Sequence, residues 1–132
     1  MASDLVVDYT NVVAAWGRKE YKSDAFVAEW LSEEHLGLKP LATQHLLGMH
    51  YFKSVSEKEI VVEWQQIASH GRHEKGEDPK NPLRKIEEQS NHRTYMEHTF
   101  IKTERGWRIA VIMPSVLFAP GDFMNVRRAE DK

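Results

Sequence analysis

The chain has 132 residues, enough for one domain with a core of its own and too few for two. Apolar residues make up 41% and charged residues 29%, which excludes a disordered chain, and the net charge of −2 gives nucleic acid no basic footprint to bind. The absence of cysteine excludes disulfides, thiolate metal sites and a cysteine nucleophile.

The first residues, Met1 to Asp8, lack the basic flank and long apolar run of a signal peptide. No segment approaches the roughly 20 apolar residues that a membrane helix needs. A soluble cytoplasmic protein with no membrane partner is expected, folded as one domain over residues 1–132. Leu5, Val6 and Val7 form a short strand-like run. Ser23 to Leu36 is expected to be helical: Ser23 or Asp24 can cap it, and Phe26, Val27, Trp30 and Leu31 make an amphipathic stripe. Gly37 and Pro40 end that stretch.

From Leu41 the period changes to two. His45, Leu47, Met49 and Tyr51 fall on one face of a strand, with Gln44, Leu46, Gly48, His50 and Phe52 on the other. After a polar turn at Ser54–Lys58, a second long strand is expected from Glu59 to about His73. Glu74 to Asn91 is charged and carries Gly76, Pro79 and Pro82, which predicts an exposed, mobile loop. A third strand spans His92 to Lys102, Thr103 to Gly106 make a hairpin turn, and a fourth strand runs from Trp107 to Pro114. A helix followed by consecutive long strands is an α+β pattern, and a long sheet curved over helices leaves a concave face suited to a small ligand.

The even-numbered face of the second long strand carries the chemistry. Val62, Trp64 and Ala68 are apolar, yet Gln66, His70 and Arg72 interrupt them. His45 and His70, on apolar-leaning faces of neighbouring strands, can converge on one pocket. An imidazole titrates near neutrality, so it can remove a proton from one atom and return it to another. Spacing alone leaves a structural role for both histidines open. A metal site is disfavoured, because His70 and His73 point to opposite faces of the strand, and no Ser-containing elbow motif supports a nucleophilic triad.

The same residues resemble a known family. Thr43-Gln-His-Leu-Leu-Gly48, Lys53-Ser-Val-Ser-Glu-Lys-Glu-Ile60 and Ser69-His-Gly-Arg72 are similar to the central block of fungal scytalone dehydratase. His98 and Gly106-Trp-Arg-Ile-Ala110 resemble its last pair of strands. The resemblance, spanning about Leu5 to Phe123 with gaps in the charged loop, implies a cone-shaped α+β fold like that of nuclear transport factor 2. It implies removal of water from hydroxylated aromatic ketones of polyketide origin, without metal or organic cofactor. By position His45 and His70 match the family's histidine pair, and Tyr9 matches a tyrosine that holds a water molecule. His70 is expected to be the main base, His45 to assist departure of hydroxide or relay the proton, and Tyr9 to hold the enolate oxygen.

The substrate is expected to lie against Trp64, Gln66 and Ala68 on the second long strand, Thr94 and Met96 on the third and Ile112 on the fourth. Met49, Val116, Phe118 and Phe123 complete the expected lining, the last two in a tail that corresponds to the family's lid. Two departures stand out. The family's chain begins with a helical segment bearing a second tyrosine and an aspartate, and this sequence starts after it. Thr94 and Met96 replace a serine and an asparagine. These departures imply a substrate other than scytalone, and apolar surface covered in a homo-oligomer. Dehydration is expected first. Isomerisation or cyclisation through the same enolate, and a non-catalytic ligand-binding module on the same fold, are the alternatives.

Overall fold

The computed structural model describes residues 1–78 and 80–129. Six strands form one sheet: β1 (Asp4–Asp8), β2 (Arg18–Lys22), β3 (Leu41–Val55), β4 (Glu59–His73), β5 (Ile86–Thr103) and β6 (Gly106–Phe118). Helix α1 covers Ser23–Trp30, and a short helix α2 covers Phe123–Val126. The strand order is β2-β1-β6-β5-β4-β3, antiparallel throughout except where β1 lies parallel to β6. This is the expected α+β architecture, a single curved sheet with few helices. No helix among the described residues is long and apolar enough to cross a membrane.

Tight polar turns set the two central hairpins. Ser56 Oγ accepts the Glu59 N–H (2.9 Å) and donates to the Glu59 carbonyl (3.0 Å), closing β3 onto β4. Between β5 and β6, Thr103 Oγ1 donates to the Gly106 carbonyl at 2.7 Å, and Gly106 takes the left-handed conformation that its φ of 90° requires.

Three expected boundaries move. Helix α1 ends at Trp30 rather than Leu36, and the chain then turns so tightly that a Cβ on Gly37 would lie 1.9 Å from the Leu31 carbonyl oxygen. The stretch expected as loop to Asn91 pairs with β4 from Ile86 onward, because its polar side chains still find a ladder there. The fourth strand continues through Pro114 to Phe118. Proline is tolerated because β1 pairs with β6 only at Val111 and Ile112, so β6 lacks that neighbour at Pro114.

Side chains of directly paired residues share a face, so the register assigns the concave surface row by row. From β3 inward the rows are Thr43–His70–Ser90, His45–Ala68–His92, Leu47–Gln66–Thr94–Val116, His50–Trp64–Met96–Pro114 and Phe52–Val62–His98–Ile112. Val7 of β1 extends the last row beside Ile112. The core is the closed end of this surface, where Leu5, Val7 and Val62 are each no more than 3% exposed. Each contributes roughly 1.5–3 kcal/mol by burial. Toward β3 the same surface opens: Leu47 and Phe52 are about half exposed.

Candidate active site

Alternation on β4 carries Trp64, Gln66, Ala68, His70 and Arg72 to the concave face, as expected from sequence. The ladder then brings His45 of β3 against His70. Their Nε2 atoms lie 3.2 Å apart and their rings meet edge to face, with centroids 5.2 Å apart. One Nε2 must carry the hydrogen and the other accept it, so the pair shares a single proton site. His70 is buried, whereas His45 stands on the edge strand and is partly open to solvent.

Burial is the main cause that pushes the His70 imidazole down to about 4, with the nearby His45 and His92 acting in the same direction. Burial also lowers His45 and His92. All three are therefore held in the neutral form in which an imidazole can act as a base. His70 Nδ1 is buried without a hydrogen-bond partner among the described residues, as are Trp64 Nε1, Ser90 Oγ and Thr94 Oγ1 on the same face. Four unpartnered buried polar atoms on one surface are costly unless a ligand or water satisfies them.

His92 is the member that the sequence reading missed. It lies beside Ala68, its ring centroid 6.4 Å from that of His70. The signal was available, since the two-residue count that puts Met96 and Thr94 on the floor continues to His92. Among the described residues, no three His, Asp or Glu side chains are grouped as a metal site requires.

The segment after β6 returns over the sheet. Gly121 adopts φ 84° and bridges Ser90, and a Cβ there would lie 2.1 Å from the Gln89 carbonyl oxygen, so glycine is required at this crossing. The Asp122 carboxylate caps α2 by accepting the Met124 N–H at 2.8 Å. Phe123 then lies over the histidines, its centroid 4.6 Å from His70 and 5.9 Å from His92. Buried Arg72 fastens the far side of α2: Nη1 donates to the carbonyls of Val126 (3.2 Å) and Arg128 (2.8 Å), and Nε meets Glu87 at 3.1 Å. Thus the strand that presents His70 also anchors its cover.

The remaining expected residues divide. Thr94, Met96, Ile112 and Val116 share the concave face with the histidines. Met49 does not. A β-bulge between Leu47 and His50 reverses the alternation, so His50 takes the inward place beside Trp64 and Met49 is 79% exposed. Phe118 also departs, because a register shift between Arg93 and Thr94 puts it opposite Arg93, whose guanidinium lies 6.0 Å from its ring on the other face. Tyr9 packs on Trp16 and Trp30 at centroid distances of 5.6 and 5.1 Å. It lines a cavity of about 200 Å³ with His35, Met124 and Arg127, in which neither His45 nor His70 takes part. Burial raises its phenol to about 12, so it remains a hydrogen-bond donor at neutral pH.

Comparison with known proteins shows the family and the fold. The family model described as scytalone dehydratase matches residues 1–132. Dehydratase cfoI of Aspergillus candidus is 45% identical over 130 residues, covering 98% of this chain and 74% of that protein. A scytalone dehydratase-like protein, Arp1 of Metarhizium guizhouense, is 27% identical over 129 residues, 96% of this chain and 70% of its own. Among solved structures, the Kfla4162 protein of Kribbella flavida superposes with a TM-score of 0.72 at 15% identity, covering 97% of this chain and 78% of that one. A protein of Novosphingobium aromaticivorans, described as NTF2-like with a cystatin-like fold, gives a TM-score of 0.51 at 18% identity, over 99% and 71% of the two chains. The fold is accordingly NTF2-like, and the chain belongs to the scytalone dehydratase family.

Proposed function

We propose that this chain eliminates water from a cyclic β-hydroxy ketone fused to an aromatic ring, a substrate of polyketide type, in fungal secondary metabolism. The observation that carries the reading is the 3.2 Å contact between the Nε2 atoms of His45 and His70. That contact links the two imidazoles through one shared proton, so a proton taken up by His70 can leave through His45. His70, neutral and buried, removes the proton from the carbon beside the carbonyl, and the C–H electrons form the enolate. The enolate re-forms its carbonyl as the C–O bond breaks, and the departing hydroxide receives a proton from the histidine pair through His45. The imidazoles end as they began, one water is released, and no change of oxidation state calls for a redox cofactor.

The names of the Aspergillus and Metarhizium relatives support dehydration over isomerisation or cyclisation through the same enolate. Exposed Leu47, Phe52 and Val55 along β3 support a homo-oligomer that covers this margin. A mass measurement in solution at the monomer value would refute it.

A minimal probe is 3-hydroxy-1-tetralone, which on loss of water becomes fluorescent 1-naphthol. His70→Ala is expected to lower its turnover by about 10²-fold or more. Turnover unchanged in that variant would remove the mechanism, and no turnover by the unsubstituted protein would remove the dehydratase reading.

A further inference from the structure

We infer that His92 is a catalytic residue, a neutral imidazole whose N–H holds the substrate's carbonyl oxygen while His70 and His45 handle the proton and the leaving hydroxyl. This rests on the dehydratase reading above and assigns the third polar contact that the reaction needs.

Three observations point to it. First, His45 and His92 are both register partners of Ala68, one from each neighbouring strand. Ala68 is 5% exposed, and its methyl is the low point of the floor between two imidazoles. With strands about 4.8 Å apart, their Cα atoms lie roughly 10 Å from one another across it, wide enough for a flat ring to rest on Ala68 with an edge against each. Second, His70 stands between them in space, with ring centroids 5.2 Å from His45 and 6.4 Å from His92. The order His45, His70, His92 matches the order of reacting atoms in a cyclic β-hydroxy ketone: hydroxyl-bearing carbon, acidic C–H, carbonyl. Third, Phe123 covers His70 and His92 together, which excludes water from the side where negative charge gathers on oxygen.

The charge state agrees. Burial lowers His92, so at neutral pH it is an uncharged donor. A cationic His92 would oppose His70 at the moment it takes the proton. A neutral one polarises the carbonyl without that penalty. No hydrogen bond joins His92 to His45 or His70 among the described residues, which leaves its ring N–H free for a ligand.

The test uses His92→Phe and His92→Gln in the full chain, after circular dichroism has shown that both fold. On 3-hydroxy-1-tetralone, His92→Phe should lower kcat by about 10²-fold with KM changed little, and His92→Gln, which restores an N–H, should recover part of it. The infrared carbonyl band of bound 1-tetralone, which cannot lose water, reports the contact directly. It should be lowered in the unsubstituted protein and in His92→Gln, and return toward its unpolarised position in His92→Phe. Undiminished kcat in His92→Phe, or a band indifferent to the substitution, would overturn the inference. If the unsubstituted protein turns over while His92→Phe matches it, only the role of His92 fails. If the unsubstituted protein is inert, the dehydratase reading fails and takes this role with it.

Discussion

Strands β3 and β4 are neighbours of equal length, 15 residues each, yet they end in opposite environments. On β4 every second residue from Val62 to Arg72 is buried or nearly so. On β3 everything beyond Ala42 is exposed. The difference is place in the sheet: β4 is flanked on both sides, whereas β3 is the edge. Each strand gives one histidine to the pair, so the two imidazoles inherit different solvation. His70 is held neutral in the interior, and His45 stands open to solvent. The unlike tasks proposed for them, abstracting a proton and returning it, follow this difference in solvation.

Several substitutions sharpen that contrast. On β4, Arg72 ties α2 to the sheet through two carbonyls and Glu87. Arg72→Met is expected to cost about 3 kcal/mol in urea unfolding, because a buried charge pair and a lid anchor go together. On β3, Lys53 meets Glu97 at 2.5 Å but stands 45% exposed in its side chain. Lys53→Met should cost under about 1 kcal/mol. Equal losses would erase the distinction between the strands.

The pH dependence is the next largest effect. Because the folded-state value of His70 is depressed to about 4, the unfolded chain binds its proton first as pH falls. Stability from this residue is complete above the unfolded value near 6.5 and is lost progressively as pH falls toward 4, on the order of 2 kcal/mol in all. Urea melts of the unsubstituted protein and of His70→Asn should diverge across that window and run parallel above it. For the same reason the acid limb of kcat/KM should fall near pH 4 rather than near 6.5. The smallest effect belongs to Met49: Met49→Ser should leave stability within about 0.5 kcal/mol and turnover unchanged.

Met49 also shows where the sequence is legible and where it is not. Two-residue alternation places β4 correctly because no irregularity interrupts it between Val61 and Arg72. The same count fails on β3 after Leu47, since a bulge adds a residue at Gly48-Met-His50, where the glycine inside the strand is its one local mark, and His50 takes the inward place. Phe118 fails for the same reason on β6. Ile86 to Asn91 has loop composition, and only its pairing with β4, a long-range contact, makes it strand. The histidine pair was accessible from spacing and from the motif around it. The 3.2 Å contact, the Arg72 clasp and the cover by Phe123 depend on register and on the returning chain end, which no local pattern encodes.

The measurement that bears most directly on the central claim is exchange of the C2 protons of 1-tetralone for deuterium, which isolates proton abstraction from loss of water. Exchange should be catalysed by the unsubstituted protein, fall by about 10²-fold in His70→Ala, and fall less in His45→Ala. Exchange in His70→Ala at the rate of the unsubstituted protein would contradict the assignment of His70 as the base.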